Sequence, residues 1–210
     1  MSSEKWGKYM DINRCVAELG AMRFVLTYTG PLPSNGDARE KHTIRKVFLP
    51  QLARYWQIDE ALNGLDEVEV NTGRAPIENI RMDRGGFRFV PICSRHFHLS
   101  CFLEITLYRD EAPGTVIQPG GDIDNRIKTL FDSLTVPIHA NQLTGLAPEA
   151  NENPFYCLLE DDSLITGFQI QTERLLQPLR NPADVSLTIA AIIRPTKVTL
   201  GNIGFLGGWL

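Results

Sequence analysis

The chain has 210 residues, of which 43% are hydrophobic and 22% charged, and its formal net charge is -4. That length and balance suit one globular domain with its own core and argue against a disordered or fibrous chain. The acidic balance excludes a protein that holds nucleic acid by bulk positive charge, so any phosphate contact must come from a local basic patch or from a bound cation.

No apolar run approaches the ~18–20 residues that a membrane span needs. The opening Met1-Ser-Ser-Glu-Lys-Trp-Gly-Lys8 lacks the apolar stretch of a secretory signal. Cys15, Cys93, Cys101 and Cys157 are scattered, with no CxxC, which is the usage expected of reduced thiols in a cytoplasmic protein.

In chain order, residues 1–21 read as an N-terminal extension with a short helix near Ile12 to Leu19. Residues 23–29 are rich in β-branched and aromatic side chains and predict a strand, closed by the loop Gly30-Pro-Leu-Pro-Ser-Asn-Gly36. A helix is expected from about Ala38, because Ile44, Val47, Phe48, Leu52, Tyr55 and Trp56 recur at helical spacing; Pro50 should kink or restart it. Residues 57–84 read as an irregular insertion. Residues 86–92 predict a strand, and residues 96–109 a clearer one. There Phe97, Leu99, Cys101, Leu103, Ile105 and Leu107 alternate with more polar neighbours, giving one apolar face.

Residues 114–121 form a loop. Ile127, Leu130, Phe131 and Leu134 then give an amphipathic helix over residues 125–134. Residues 136–156 are a second insertion, rich in Pro, Asn and Gly. Residues 164–172 and 185–193 are the last strands, and residues 196–210 a C-terminal tail. The expected architecture is α+β: a single mixed or mostly antiparallel sheet of about five strands with helices packed on one face, in a domain spanning residues 22–195.

The chemistry concentrates in Asp122-Ile-Asp124-Asn-Arg-Ile-Lys128 and, some thirty residues on, Glu160-Asp161-Asp162. On a helix Asp124, Lys128 and Asp132 share one face, opposite Ile127, Leu130 and Phe131, and Asp122 lies just before it. Asp122, Asp124 and one of Asp161 or Asp162, brought together, would repel unless a cation joined them. Mg²⁺ takes oxygen ligands of this kind and leaves room for water and phosphate. Such a site could orient a phosphodiester and activate water, with Lys128 adding positive charge. The plainer reading makes Asp124 a helix N-cap, Asp124 and Lys128 a surface pair, and Asp161-Asp162 a turn.

The stretch from Asp122 to Leu134, followed by Leu159-Glu-Asp-Asp-Ser-Leu-Ile165, resembles the signature of RusA-type Holliday-junction resolvases. The early strand leading into Gly30-Pro-Leu-Pro-Ser-Asn35 is similar to that family's opening strand and turn. The resemblance implies a RusA-like fold and a Mg²⁺-dependent endonuclease, with Mn²⁺ as a substitute. It also implies a homodimer that acts on branched DNA such as a four-way junction. It assigns Asp122, Asp124 and Asp162 as metal carboxylates, Asp161 as the alternative to Asp162, and Lys128 as the essential lysine. It spans roughly residues 22–193 and is most specific over 122–134 and 159–165. The chain departs from the family in its greater length, its longer connection to the acidic run, and an uncharged Val116-Ile-Gln-Pro-Gly-Gly121 where arginines are often found. Arg84, Arg88, Arg126, Arg174 and Arg180 are candidate phosphate contacts.

Cys93, His96, His98 and Cys101 have zinc-ligand chemistry, but strand alternation sends Cys101 to the face opposite the histidines, so a shared ion is not expected. Two rival functions remain in view: a non-catalytic nucleic-acid or protein binding module on the same fold, and a metal-dependent nucleotide phosphohydrolase.

Overall fold

Alternating burial organises the first and larger sheet. Strands β1 (Met22–Pro31), β4 (Leu99–Arg109), β6 (Ile165–Arg174) and β7 (Asp184–Pro195) hydrogen-bond in the order β1-β7-β4-β6. β7 runs antiparallel to both β1 and β4, whereas β4 and β6 are parallel. The register stacks Leu26, Ile189, Ile105 and Ile170 across one face. Leu26, Ile105 and Ile189 are buried there, while Glu104, Thr106 and Thr188 line the opposite, open face. The computed structural model describes residues 22–63, 80–109, 123–177, 179, 181, 184–199 and 202–206. The expected N-terminal extension and its helix, residues 64–79 of the first insertion, the 114–121 loop, Asp122, Arg180 and residues 207–210 lie outside the described residues.

Helix α1 (Ala38–Ile58) opens on a capping box: Asp37 Oδ1 accepts from the N–H groups of Arg39 and Glu40, and Glu40 accepts in return from the Asp37 N–H. It runs unbroken through Pro50, so the expected kink or restart does not occur. Pro50 sits on the exposed side, where the Lys46 carbonyl that it leaves without a helical donor can turn to water. Burial of Ile44, Phe48, Leu49, Leu52 and Trp56 on the other side holds the helix together. Tyr55 stacks on Phe24 of β1 with ring centroids 3.9 Å apart. After the short α2 (Glu60–Asn63), α3 (Ile123–Leu134) lies on the same face near the opposite edge of the sheet, where Phe131 meets Phe168 of β6 edge-on. The helices thus cover one face, as expected.

The expectation of a single sheet is corrected. A second sheet of three strands, β2 (Met82–Arg84), β3 (Phe87–Cys93) and β5 (Phe155–Leu159), orders β2-β3-β5, with β3 and β5 parallel. Of its two unexpected strands, β2 lies inside the first stretch read as an insertion, and β5 starts in the last two residues of the second and runs on to Leu159. β2 is only three residues long and turns into β3 through Gly85 and Gly86, both at positive φ. β5 is buried almost throughout, so Phe155-Tyr-Cys-Leu-Leu159 is a continuous apolar run without the alternation that marks a half-exposed strand. A smaller core of Leu49, Phe87, Phe89, Val136, Leu143, Phe155 and Cys157 fills the space between this sheet and α1.

Two parallel pairs cross between the sheets. β3 leads into β4 through residues 94–98, and β5 leads into β6 through residues 160–164. The acidic run therefore sits at the corner where both chains change sheets. Segment Ile203–Leu206 folds back on the first corner: Phe205 packs on Phe97, and the buried Asn202 amide donates to the Phe97 and Lys197 carbonyls at 2.7 Å each. Among the described residues no helix is long and apolar enough to cross a membrane.

Candidate functional site

Helix α3 carries the first half of the motif, and its placement depends on the loop after β1. Arg126 donates to the Leu32 carbonyl at 2.8 Å, and the Gly36 N–H donates to Thr129 Oγ1 at 2.9 Å. Gly36 is required for that approach, because a Cβ there would lie 2.7 Å from Thr129 Cγ2. Arg126, a candidate phosphate contact in the sequence, is thus directed at backbone. Thr129 and Ser133, buried on the inner side of α3, hand their hydroxyl protons to the carbonyls of Asn125 and Thr129.

The outward side of α3 presents Asp124, Lys128 and Asp132. Asp124 lies in the first turn, where the positive end of the helix dipole favours a carboxylate, and α3 begins two residues earlier than a cap at Asp124 would allow. Asp124 and Lys128 are both exposed. Among the described residues neither side chain takes part in a hydrogen bond or ion pair, so the plain reading of them as a surface pair is not realised. Asp132 is different: its carboxylate lies 2.8 Å from Lys41 Nζ on α1.

The far end of α3 is fixed by a residue that no sequence pattern singles out. Arg45 is only 5% exposed, and its guanidinium donates to the carbonyls of Asp132 (2.7 Å) and Thr135 (3.1 Å). It closes the carbonyl end of the helix with a cation, which is the favourable sign there. The Val136 N–H then donates to the Leu159 carbonyl at 3.0 Å, tying the helix end to β5 just before the acidic run.

The three acids of that run have three different environments. Glu160 Oε2 accepts from the Ser94 hydroxyl and the Arg95 N–H, both at 2.8 Å. Asp161 Oδ1 accepts from the Ser163 N–H at 2.9 Å and lies 3.0 Å from Arg95 Nη2. Hydrogen bonding from Ser163, aided by Arg95 and opposed by partial burial, holds the Asp161 carboxyl below the usual carboxylate range. Asp162 is exposed, and among the described residues nothing bonds to its carboxylate.

Asp162 lines a narrow cleft with Lys41, Arg45, Asp132, Ile138 and Gln142. The structure thus brings Asp162 to the Asp132 end of α3, and Asp124 and Lys128 are not in that lining. Among the described residues no three His, Cys, Asp or Glu side chains are grouped closely enough to hold a metal ion. The expected trio includes Asp122, which lies outside the described residues. Cys93 and Cys101 are buried on β3 and β4, and His96 and His98 fall in the turn between those strands rather than on the strand read through residues 96–109.

Lys41, Arg45 and Arg95 escape a reading of the sequence because their partners lie 65 to 91 residues away along the chain. Only the Asp37-x-x-Glu40 capping signature offered a local signal, and it fixes the start of α1 rather than the direction of Lys41. In comparisons with protein-family models, curated proteins and solved structures, nothing matches this chain.

Proposed function

We propose that the chain is a Mg²⁺-dependent endonuclease of RusA type, acting as a homodimer on branched DNA such as a four-way junction. The observation that supports this reading is the state of the motif side chains. Asp124 and Lys128 face outward one turn apart on α3, and of the run Glu160-Asp161-Asp162 only Asp162 has a carboxylate with no partner among the described residues.

The ligand type suits a hard cation, although Asp162 lies at the Asp132 end of α3 beside Lys41 and Arg45, and among the described residues no three acids are gathered at one point. Asp124 and Asp162 offer unengaged oxygens, which is what Mg²⁺ selects, and Asp122 would add a third. Asp161 is the weaker candidate, because its oxygen already serves Ser163 and Arg95. A bound Mg²⁺ would polarise the scissile phosphodiester and offset the charge that develops on its oxygens.

The chain's own residues supply position and charge. Lys128, exposed and without a salt-bridge partner among the described residues, can place its ammonium against a phosphate oxygen as negative charge builds there. Lys41 and Arg45, beside Asp162, add positive potential at the cleft despite the acidic whole. Hydrolysis makes one P–O bond to water and breaks one to the sugar; with no covalent enzyme intermediate, alignment and electrostatics carry the rate. Two-fold pairing would give two sites for two strands.

The test compares a synthetic four-way junction with a matched linear duplex, in Mg²⁺ or EDTA. Junction-selective, chelator-sensitive nicking is expected. Asp124→Asn and Asp162→Asn should abolish it, and Lys128→Ala should slow it by about 10²-fold or more. Cleavage that is equal in wild type and all three variants would reject the proposal.

A further inference from the structure

We propose that the open face of the larger sheet carries a subsite for single-stranded DNA, in which an unpaired base stacks on Phe102 and the adjoining phosphates meet Arg194 and Lys197. The inference rests on the DNA-binding part of the reading above and deepens it, without drawing on the candidate metal residues.

The sheet register builds the platform. On the side away from the helices, Phe102 of β4 stands between Ile192 of β7 and Gly167 of β6, and Ser100 stands beside Arg194. A Cβ at Gly167 would lie 3.0 Å from Phe102 Cε2 and 3.1 Å from its Cδ2, so the ring leans over β6 into the room that the glycine leaves. The ring is half-buried and borders a depression of about 280 Å³ with Ser100, Glu104, Thr166, Ile192 and Arg194. Glu104, the acid in that lining, is offset by Arg23, which reaches across β7 to within 2.8 Å of its carboxylate. An aromatic ring beside Ile192 would by itself be ordinary cross-strand packing. The charge around it sets this one apart.

Neither residues 84–103 nor residues 185–210 contain an Asp or Glu, in a chain whose net charge is -4. The described parts of these two stretches meet at one end of the sheet. The Thr196 N–H and hydroxyl donate to the His98 carbonyl at 2.7 and 3.0 Å, and the Asn202 amide joins the Phe97 and Lys197 carbonyls. His96, His98, Arg194 and Lys197 are exposed on this rim. Among the described residues the side chains of Arg194 and Lys197 have no hydrogen bond or ion pair. Cations without a paired acid are the local condition that phosphate binding needs in an acidic protein. The neighbouring part of the open face offers Thr106, Thr188, Gln169 and Gln171. Such a face gives a protein partner little apolar area to bury, but it gives bases hydroxyl and amide hydrogen bonds. A duplex keeps its bases stacked on one another, so only an unpaired base can present a ring face to Phe102, and aromatic stacking accepts any base.

The experiment uses the full chain in EDTA, so that no metal takes part. Fluorescence anisotropy follows binding of a labelled oligothymidine and of a matched duplex across a salt series, and unfolding temperatures are recorded beside it. Wild type should bind the single strand more tightly than the duplex. Phe102→Leu should weaken single-strand binding about 10-fold with the salt slope unchanged, and Phe102→Tyr, which keeps the ring, should bind as wild type does. Arg194→Gln and Lys197→Gln should each weaken binding and reduce the slope of log affinity against log salt by about 0.7, the loss of one phosphate contact. All four variants should unfold at the wild-type temperature; should Phe102→Leu fail to fold, the exposed Arg194→Gln carries the test. A wild type that ignores oligothymidine overturns the inference. So does a folded Phe102→Leu of unchanged affinity, a Phe102→Tyr as weak as Phe102→Leu, an Arg194→Gln with the wild-type salt slope, or a duplex bound as tightly as the single strand. Single-strand binding that needs Phe102 and Arg194, in a chain that cuts nothing when Mg²⁺ is supplied, would remove the nuclease reading and keep the subsite. Mg²⁺-dependent junction cleavage by a chain whose single-strand binding ignores both residues would do the reverse.

Discussion

The two cores of this molecule are held together differently. The larger one, beneath β1, β7, β4 and β6, is built from apolar side chains such as Leu26, Leu103, Ile105, Leu187 and Ile189. The smaller one, between α1 and the β3/β5 pair, is edged with polar groups. His42 lies 5.2 Å from Phe87 and 5.5 Å from Phe155, ring to ring, and Arg45 stands next to it along α1. Glu152, 1% exposed, pairs with Lys46 at 2.6 Å. The end of the fold that carries the candidate site is thus fixed by directed polar bonds, and the sheet end by apolar area. Area tolerates a change of shape better than a directed bond tolerates a lost partner.

The sharpest way to break that contrast is a shape-conserving swap in each core. Arg45→Met keeps the length of the side chain but strips the donors from the Asp132 and Thr135 carbonyls. With two buried acceptors left unpaired, urea unfolding should register a loss of about 2–4 kcal/mol. Leu103→Met, in the apolar core, should lose less than about 1.5 kcal/mol in the same assay. Equal losses would mean that the two regions do not differ in kind.

Between those extremes falls a test of pH. Burial, with the Arg45 guanidinium beside it, pushes the His42 imidazole down from 6.5 to about 4. The folded state thus keeps His42 neutral where the unfolded chain would take up a proton. The contribution to stability is whole above pH 6.5, falls as the pH drops through the window from 6.5 to about 4, and is gone below it. Wild type should lose about 2 kcal/mol more than His42→Phe between pH 7 and pH 5, measured by urea unfolding at each pH. Parallel curves for the two proteins would show that the imidazole is not buried as a neutral group.

How much of this was legible in the sequence follows from what each side chain reports. The alternation of Leu99 to Leu107 reflects a strand with one face on a core and one on solvent, and it placed β4 within three residues of its observed start. The stripe Ile127, Leu130, Leu134 likewise fixed α3 and turned Asp124, Lys128 and Asp132 outward. β5 gave no such sign, because a strand covered on both faces shows an apolar run with no period. Pro50 misled for a related reason: the local rule against proline in a helix counts one lost hydrogen bond, whereas the helix is held by Phe48, Leu52 and Trp56 on its buried side, opposite the exposed Pro50.

The candidate site divides in the same way. From the amino acids alone came the spacing of the carboxylates, the outward face of α3 and the acidic run thirty residues later, because helical period and residue chemistry are local properties. Which of three adjacent acids stays free could only be settled in space. Glu160 and Asp161 are engaged by Arg95, 65 residues earlier, and the Asp132 carboxylate by Lys41 of α1. Those pairings arise because two parallel strands change sheets at one corner and two helices close over one face, and no stretch of sequence contains both partners.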